Sequence, residues 1–286
     1  MSRIAYVNGS YVPHADAGVH VEDRGYQFGD GVYEVCEVRG GHMVDERRHM
    51  ERLVRSLGEL RIRLPMSLAA LGVVLRQTIA RNRVCDGLIY LQVTRGVARR
   101  DHYFPDPATP PSIVVTARSV DPAKGEAVAG QGIALITVPD NRWERVDIKT
   151  IGLLPNVLVK EAAKQAGARE AWFVDASGHV TEGGSTNAWI VTREGALVTR
   201  PAESGILRGI TRTVMIEVAE KLQLRVEERP FTVAEALNAR EAFVTSATNF
   251  ATPVVRIDGQ VIGDGRPGPV ARSLRENFHG VAEIAR

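Results

Sequence analysis

The 286-residue chain carries 36 basic and 34 acidic residues, a formal net charge of +2, with 44% hydrophobic and 24% charged residues. That is the composition of a folded protein with a sizeable core rather than a disordered one, and charge so evenly balanced gives no field to attract nucleic acid or another polyanion. The length exceeds the ~100–200 residues of a usual domain, so two domains are expected.

Ile4–Val7 and the pair Tyr11-Val12 read as short strands joined by a tight turn at Asn8-Gly9. Asn8-Gly9-Ser10 also fits a glycosylation acceptor, but no basic region followed by an apolar run opens the chain, so the turn is the better reading. Over residues 32–38, Val32, Glu34, Cys36 and Val38 alternate with Tyr33, Val35 and Glu37, a strand pattern that turns Tyr33 away from Glu34. Met50, Leu53, Val54, Leu57 and Leu60 repeat at helical spacing, as do Leu68, Leu71, Leu75 and Ile79, which predicts two helices covering one face of a sheet. Ile89, Leu91 and Val93 alternate in a strand running into Arg95-Gly96. The loop beyond carries Arg99, Arg100 and His102, ends in the proline-rich residues 105–111, and leads to a strand over 112–117.

Residues 119–127 are polar and contain Pro122 and Gly125, which makes them the candidate linker, with a domain boundary near residue 120. A strand is predicted over 133–138, then a polar connection with Asp147 and Lys149, then a helix from Pro155 to near Gly167. Strands around 172–174 and 188–191 flank the glycine-rich loop Glu182-Gly183-Gly184-Ser185-Thr186-Asn187. Residues 211–222 form an amphipathic helix with Val214, Val218 and Leu222 on one stripe and Gly209 just before it. Strands over 243–245 and 254–257, a turn at Asp258-Gly259 and a helix over 270–278 close the chain. The class is mixed α and β.

Cys36 and Cys85, the only two cysteines, lie in different elements, and the seven histidines form no H-x-x-x-H pair, so neither a disulfide nor a metal site is expected. With no run of ~18 apolar residues, a cytoplasmic protein without membrane contact is expected. Gly209-Ile210-Thr211 sets a glycine turn at a helix start, where free amides and the helix dipole favour a phosphate. An ordinary turn with Thr211 as cap accounts for the same residues. Gly263-Asp264-Gly265-Arg266-Pro267-Gly268 matches the dinucleotide fingerprint G-x-G-x-x-G. It follows a hairpin, contains proline and leaves too little chain for a crossover unit, so it reads as a loop. Lys149, in Asp147-Ile148-Lys149-Thr150, is of the type that forms a Schiff base when its amine is desolvated, although most such lysines are surface residues. Arg99-Arg100-Asp101-His102 is a compact cationic loop, able to grip a carboxylate or simply solvated.

These signals occur in a shared order and spacing. Glu22-Asp23-Arg24-Gly25-Tyr26-Gln27-Phe28-Gly29-Asp30-Gly31-Val32-Tyr33-Glu34-Val35 resembles the N-terminal signature of the D-amino-acid aminotransferases, fold-type IV pyridoxal-phosphate enzymes. The similarity continues at residues 49–52, 89–96, 100–105, 142–143, 147–149, 180–187, 206–212 and 243–254. The resemblance implies a small N-terminal α/β domain over 1–120, a larger C-terminal one over 121–286, pyridoxal 5'-phosphate at their interface, and a homodimer. Carried over by position, Lys149 resembles the Schiff-base lysine and Glu182 the carboxylate that pairs with the pyridine nitrogen. Arg52, Ile210 and Thr211, with Ser246 and Ala247, resemble the phosphate cup, and Leu207 the apolar residue packed on the cofactor ring. Tyr33, Arg100 and His102 resemble the trap for the substrate α-carboxylate that marks the D-amino-acid enzymes.

Two positions depart from the family pattern: Ala247 stands where a threonine is frequent, and Gly184 where a serine is. The first removes a hydroxyl able to bond the phosphate, worth ~0.5–1.5 kcal/mol. The implied activity is transamination between D-amino acids such as D-alanine or D-glutamate and 2-oxo acids such as pyruvate or 2-oxoglutarate. The alternatives are the branched-chain L-amino-acid aminotransferases, which share lysine, glutamate and cup, and aminodeoxychorismate lyase, which shares the fold and the lysine.

Overall fold

The computed structural model describes residues 3–203 and 205–284. By contacts they fall into two compact units: the residues up to Pro122 with Ile148–Gly152 and residues 283–284, and Ala123–Asp147 with Leu153–Ala282.

In the first unit β1 (Ile4–Val7) and β2 (Ser10–Pro13) form a hairpin whose turn takes positive φ at both Asn8 (45°) and Gly9 (102°), which is why this pair suits it. Helix α1 (Arg24–Phe28) starts at Asp23, whose carboxylate accepts from Gly25 N at 2.8 Å. Then come β3 (Gly31–Arg39), β4 (His42–Met43), α2 (Glu46–Glu59), α3 (Leu68–Arg81), β5 (Gly87–Thr94) and β6 (Ser112–Ser119). The sheet is antiparallel in the order β2-β1-β6-β5-β3-β4. Helix α2 packs on β3, and α3 on β1 and β6. Leu53, Leu57, Leu71 and Leu75 thereby share one core with Val32, Cys36, Ile89 and Leu91. The alternation along β3 puts Glu34 on this same buried face.

The chain returns to this unit around Lys149. Tyr33 N donates to Lys149 O at 3.0 Å and Ile151 N to Gly31 O at 3.1 Å, so the stretch Ile148–Gly152 satisfies the open edge of β3, and Ile148 is buried in the core.

The segment expected as a linker is helical from Pro122, α4 spanning Pro122–Gln131, and the two units divide within it, between Pro122 and Ala123. Proline at a first helical position loses no hydrogen bond, and the alanines that follow favour the helix enough to carry Gly125. The second unit continues with β7 (Ile133–Pro139), α5 (Leu154–Gln165), β8 (Glu170–Val174), β9 (Val180–Gly183), β10 (Asn187–Val191), β11 (Leu197–Thr199) and α6 (Ile210–Lys221). It ends with β12 (Val226–Glu228), α7 (Val233–Leu237), β13 (Glu241–Ser246), β14 (Asn249–Ile257), β15 (Gln260–Val261) and α8 (Pro269–Asn277).

Its sheet runs β12-β11-β10-β13-β14-β7-β8-β9 with β15 beside β14. It is parallel where β7 meets β8 and β14 and where β11 meets β12. Both faces are covered. Trp172 enters one core with Ile190, Val244 and Phe231, while its neighbours Ala171 and Phe173 enter another with Val159 and Ala163 of α5, so β8 reads as a continuous apolar run. Among the described residues no helix is long and apolar enough to cross a membrane, and no cluster of side chains suits a metal ion.

Candidate active site

Lys149 sits where its backbone is fixed by β3 and its amine lies 4.2 Å from the centroid of the Tyr33 ring. Tyr33 stacks in turn on Tyr90, centroids 5.7 Å apart. Burial, with a smaller contribution from Tyr33, pushes the Tyr90 phenol up to about 12, and it donates to Gln92 Oε1 at 2.6 Å. Tyr33, Tyr90 and Gln92 thus form a polar, partly buried strip along β3 and β5, and Tyr33 is its member beside the lysine.

On the other face of β3 a carboxylate is enclosed. Glu34 accepts from Arg52 through both oxygens, Nε to Oε1 at 2.8 Å and Nη2 to Oε2 at 2.7 Å, and from His49 Nδ1 at 2.8 Å. Burial works against its charge, but Arg52 and His49 outweigh it and its pKa falls from 4.5 to about 2. For His49 burial wins and holds the imidazole below its ordinary value, against the pull of Glu34. The ring is therefore neutral near neutral pH, and because a carboxylate only accepts, the proton is on Nδ1. The sequence assigned Arg52 a cofactor role without its support. The available signal was Glu34 itself, a carboxylate on the apolar side of an alternating strand, which demands a cationic partner.

Arg100 and His102 come together at one ring: Arg100 Cζ lies 4.6 Å from the Phe28 centroid, and the His102 ring 5.6 Å from it. Among the described residues no hydrogen bond or ring contact joins them to Tyr33 or Lys149 within this chain.

In the second unit Glu182 is buried at the end of β9 rather than in the loop expected there. It accepts from Arg142 Nη1 at 2.5 Å through Oε1, and from Asn187 Nδ2 and Leu207 N, both at 3.1 Å, through Oε2. Arg142 is shared: it donates to Asp140 from Nε at 2.9 Å and Nη2 at 2.8 Å. Burial alone draws the Arg142 cation down, and the Asp140 and Glu182 carboxylates more than restore it. Asn187 also donates to Leu207 O at 3.0 Å, and a Cβ at Gly209 would meet Asn187 Oδ1 at 2.1 Å. Glycine is thus required where the chain passes Asn187 to begin α6, and Glu182, Leu207 and the start of α6 are tied together. Arg142 and Asn187 lie in stretches that carry the resemblance, but the sequence gives them no role. A buried carboxylate needing donors was again the clue.

The two helix starts differ. Among the described residues no side chain accepts from the first amides of α6, which include those of Ile210 and Thr211. At α8, where the glycine fingerprint of residues 263–268 ends, Glu241 accepts from Val270 N at 3.1 Å and Ala271 N at 3.0 Å. A protein carboxylate already fills the position a nucleotide phosphate needs there, whereas the start of α6 suits an anion. Ser246 and Ala247 lie at the β13–β14 turn, where Ser246 pairs with Asn249, and the next residue, Thr248, places its hydroxyl 3.2 Å from Ser246 Oγ. At Gly184 a Cβ would come 3.0 Å from Lys160 Cδ and 3.1 Å from Glu170 Oε1. The missing side chain leaves room for the Lys160–Glu170 pair at 3.2 Å.

Residues 31–257 match the family described as amino-transferase class IV. The chain belongs to that family. This class IV aminotransferase is 41% identical over 279 residues to the D-alanine aminotransferase of Staphylococcus haemolyticus, covering 97% of each. It is 41% identical over 268 residues to that of Bacillus licheniformis, covering 94% of this chain and 93% of the other. Its fold is that of fold-type IV, similar to the T.th. branched-chain amino acid aminotransferase solved with pyridoxamine 5'-phosphate, with a TM-score of 0.90, 27% identity, and 99% of this chain and 98% of that chain covered.

Proposed function

We propose that this class IV aminotransferase transfers amino groups between D-amino acids, D-alanine and D-glutamate among them, and 2-oxo acids such as pyruvate and 2-oxoglutarate, with pyridoxal 5'-phosphate bound through Lys149. The observation that carries the reading is the Lys149 amine held beside Tyr33, in a chain 41% identical to a D-alanine aminotransferase. The donor set fits the cofactor: an amine for its aldehyde, a buried carboxylate for its ring nitrogen, and open helix amides for its phosphate. Bound, pyridoxal phosphate is an electron sink for the substrate α-carbon.

The chain's residues then divide the work. Lys149 anchors the cofactor and, once its amine is displaced by the substrate's, moves the proton at the α-carbon. Glu182, fixed by Arg142, Asn187 and Leu207 N, holds a proton at the ring nitrogen. Leu207 packs on the ring face. Arg52, Ile210, Thr211, Ser246 and Ala247 hold the phosphate. Tyr33, Arg100 and His102 hold the substrate α-carboxylate, and this group sets the preference for the D-enantiomer. The reading includes a homodimer in the cytoplasm. Leu154, Val157 and Leu158, 59–69% exposed along one face of α5, are of the kind a subunit contact covers.

The fold shared with a branched-chain amino acid aminotransferase favours L-leucine as the second reading. Purified protein given pyridoxal phosphate, 2-oxoglutarate and either D-alanine or L-leucine separates them by chiral analysis of the glutamate formed. D-glutamate from D-alanine supports the first, and L-glutamate from L-leucine alone replaces it with the second. Arg100→Ala is expected to raise KM for D-alanine and 2-oxoglutarate strongly, and Arg99→Ala to change it little.

A further inference from the structure

Arg100 and His102 are exposed on a loop, yet a guanidinium and an imidazole grip a carboxylate only when held at fixed separation and angle. The loop is fastened to helix α1 by a set of contacts with a single ring at its centre. Phe28 carries Arg100 at 4.6 Å from its centroid, Arg24 at 4.8 Å, and the His102 ring at 5.6 Å with an interplanar angle of 53°. Between the two trap residues, the Asp101 carbonyl accepts from Arg24 Nη1 at 2.6 Å. Arg24 is itself buried and anchored, its Nε donating to Asp30 Oδ2 at 2.8 Å. Asp30 also takes a forked pair from Arg95, Nε to Oδ2 at 2.7 Å and Nη2 to Oδ1 at 2.9 Å. Arg95 in turn lies 3.6 Å from the Phe104 centroid, just beyond the trap residues. The loop is therefore held before, between and after Arg100 and His102, and each hold leads back to Arg24, Phe28 or Asp30 of the N-terminal signature.

We propose that Phe28, with Arg24 and Asp30 behind it, is a positioning residue for substrate: its ring is the platform that sets the spacing of the Arg100 guanidinium and the His102 imidazole, and so the affinity for the α-carboxylate. This rests on the carboxylate role given to Arg100 and His102 above. A cation over an aromatic face is attracted by the ring quadrupole, and an aliphatic side chain of similar bulk fills the space without supplying that attraction.

The test uses the cofactor-loaded enzyme with D-alanine and 2-oxoglutarate, and four variants: Phe28→Leu, Phe28→Tyr, Arg100→Ala, and Phe28→Leu with Arg100→Ala. Phe28→Leu is expected to raise KM for both substrates about 10-fold, to leave kcat and pyridoxal phosphate affinity within about 2-fold, and to leave the melting temperature unchanged. Phe28→Tyr, which keeps the ring, is expected to restore KM. In the double variant the Leu substitution adds little to the Arg100→Ala defect, because the group it positions is gone. If Arg100→Ala raises KM while Phe28→Leu does not, the platform is refuted and the carboxylate role stands. If Arg100→Ala itself leaves KM unchanged, both fall. A Phe28→Leu effect of equal size with and without Arg100 also refutes the proposal. Should Phe28→Leu not accumulate as folded protein, Arg24→Lys carries the same test, since it keeps the charge but loses the fork to Asp101 and Asp30, and the same rise in KM at constant kcat is expected.

Discussion

The two units each bury a guanidinium against carboxylates, and they use the pair in opposite senses. In the first, Glu34 is enclosed and Arg52 is the group with a proposed ligand; in the second, Arg142 is the support and Glu182 the group with a proposed ligand. The first cluster joins one carboxylate, one guanidinium and a neutral imidazole, and so carries no net charge. The second joins two carboxylates to one guanidinium and keeps a negative charge. An arginine held by a neutralising support suits a phosphate without leaving a bare buried cation when none is bound. A carboxylate in a cluster with surplus negative charge suits a protonated ring nitrogen. The same pair chemistry is thus turned toward ligands of opposite sign by which member is doubled or shielded.

Breaking the supports should show the difference. Glu34→Leu removes the carboxylate that takes both hydrogen bonds of the Arg52 fork and is expected to cost about 3–5 kcal/mol in chemical denaturation, with cofactor affinity falling as well. Arg142→Met is expected to cost less, because the two carboxylates it leaves, Asp140 and Glu182, can take up a proton and lose their charge, which the guanidinium left by Glu34→Leu cannot, and because Asn187 Nδ2 and Leu207 N still donate to Glu182; equal losses would contradict the contrast. The pH dependence sharpens it further. The folded pKa of Glu34 lies below its ordinary 4.5, so its stabilisation is full above 4.5 and lost as pH falls through about 2. On about 1.4 kcal/mol per unit this amounts to roughly 3 kcal/mol, visible as a loss in denaturation free energy of the parent between neutral and strongly acidic pH that Glu34→Gln lacks.

Function-side effects are smaller in free energy. Glu182→Gln is expected to leave the cofactor bound and slow turnover about 10–100-fold, seen as a fall in kcat with little change in cofactor titration. Unchanged turnover would remove Glu182 from the site. The smallest effect is expected from Ala247→Thr, which restores a hydroxyl at the β13–β14 turn and should tighten cofactor binding by about 0.5–1.5 kcal/mol. No tightening would indicate that the Thr248 hydroxyl on the same turn already serves.

The strands and helices with clear period were legible in the sequence: the Asn8-Gly9 hairpin, β3, β5, α2, α3 and α6 lie where alternation or helical spacing puts them. The polar stretch at Pro122 was not, because proline and glycine mark a break only when the surrounding residues disfavour a helix, and here alanines supply one. The site was legible as residue identities but not as support. Lys149, Glu182 and Arg52 stand out by resemblance, whereas Glu34, His49, Arg142 and Asn187 act through partners as far as 40 positions away along the chain, a distance no local spacing rule spans. The return of residues 148–152 to β3 belongs to the same class, since edge pairing between distant segments leaves no periodic trace.

The most direct test of the account is borohydride reduction of the cofactor-loaded protein followed by peptide mapping. A pyridoxyl label on Lys149, lost with the absorbance near the visible edge in Lys149→Ala, is the predicted result. A label on any other lysine, or none, would contradict it.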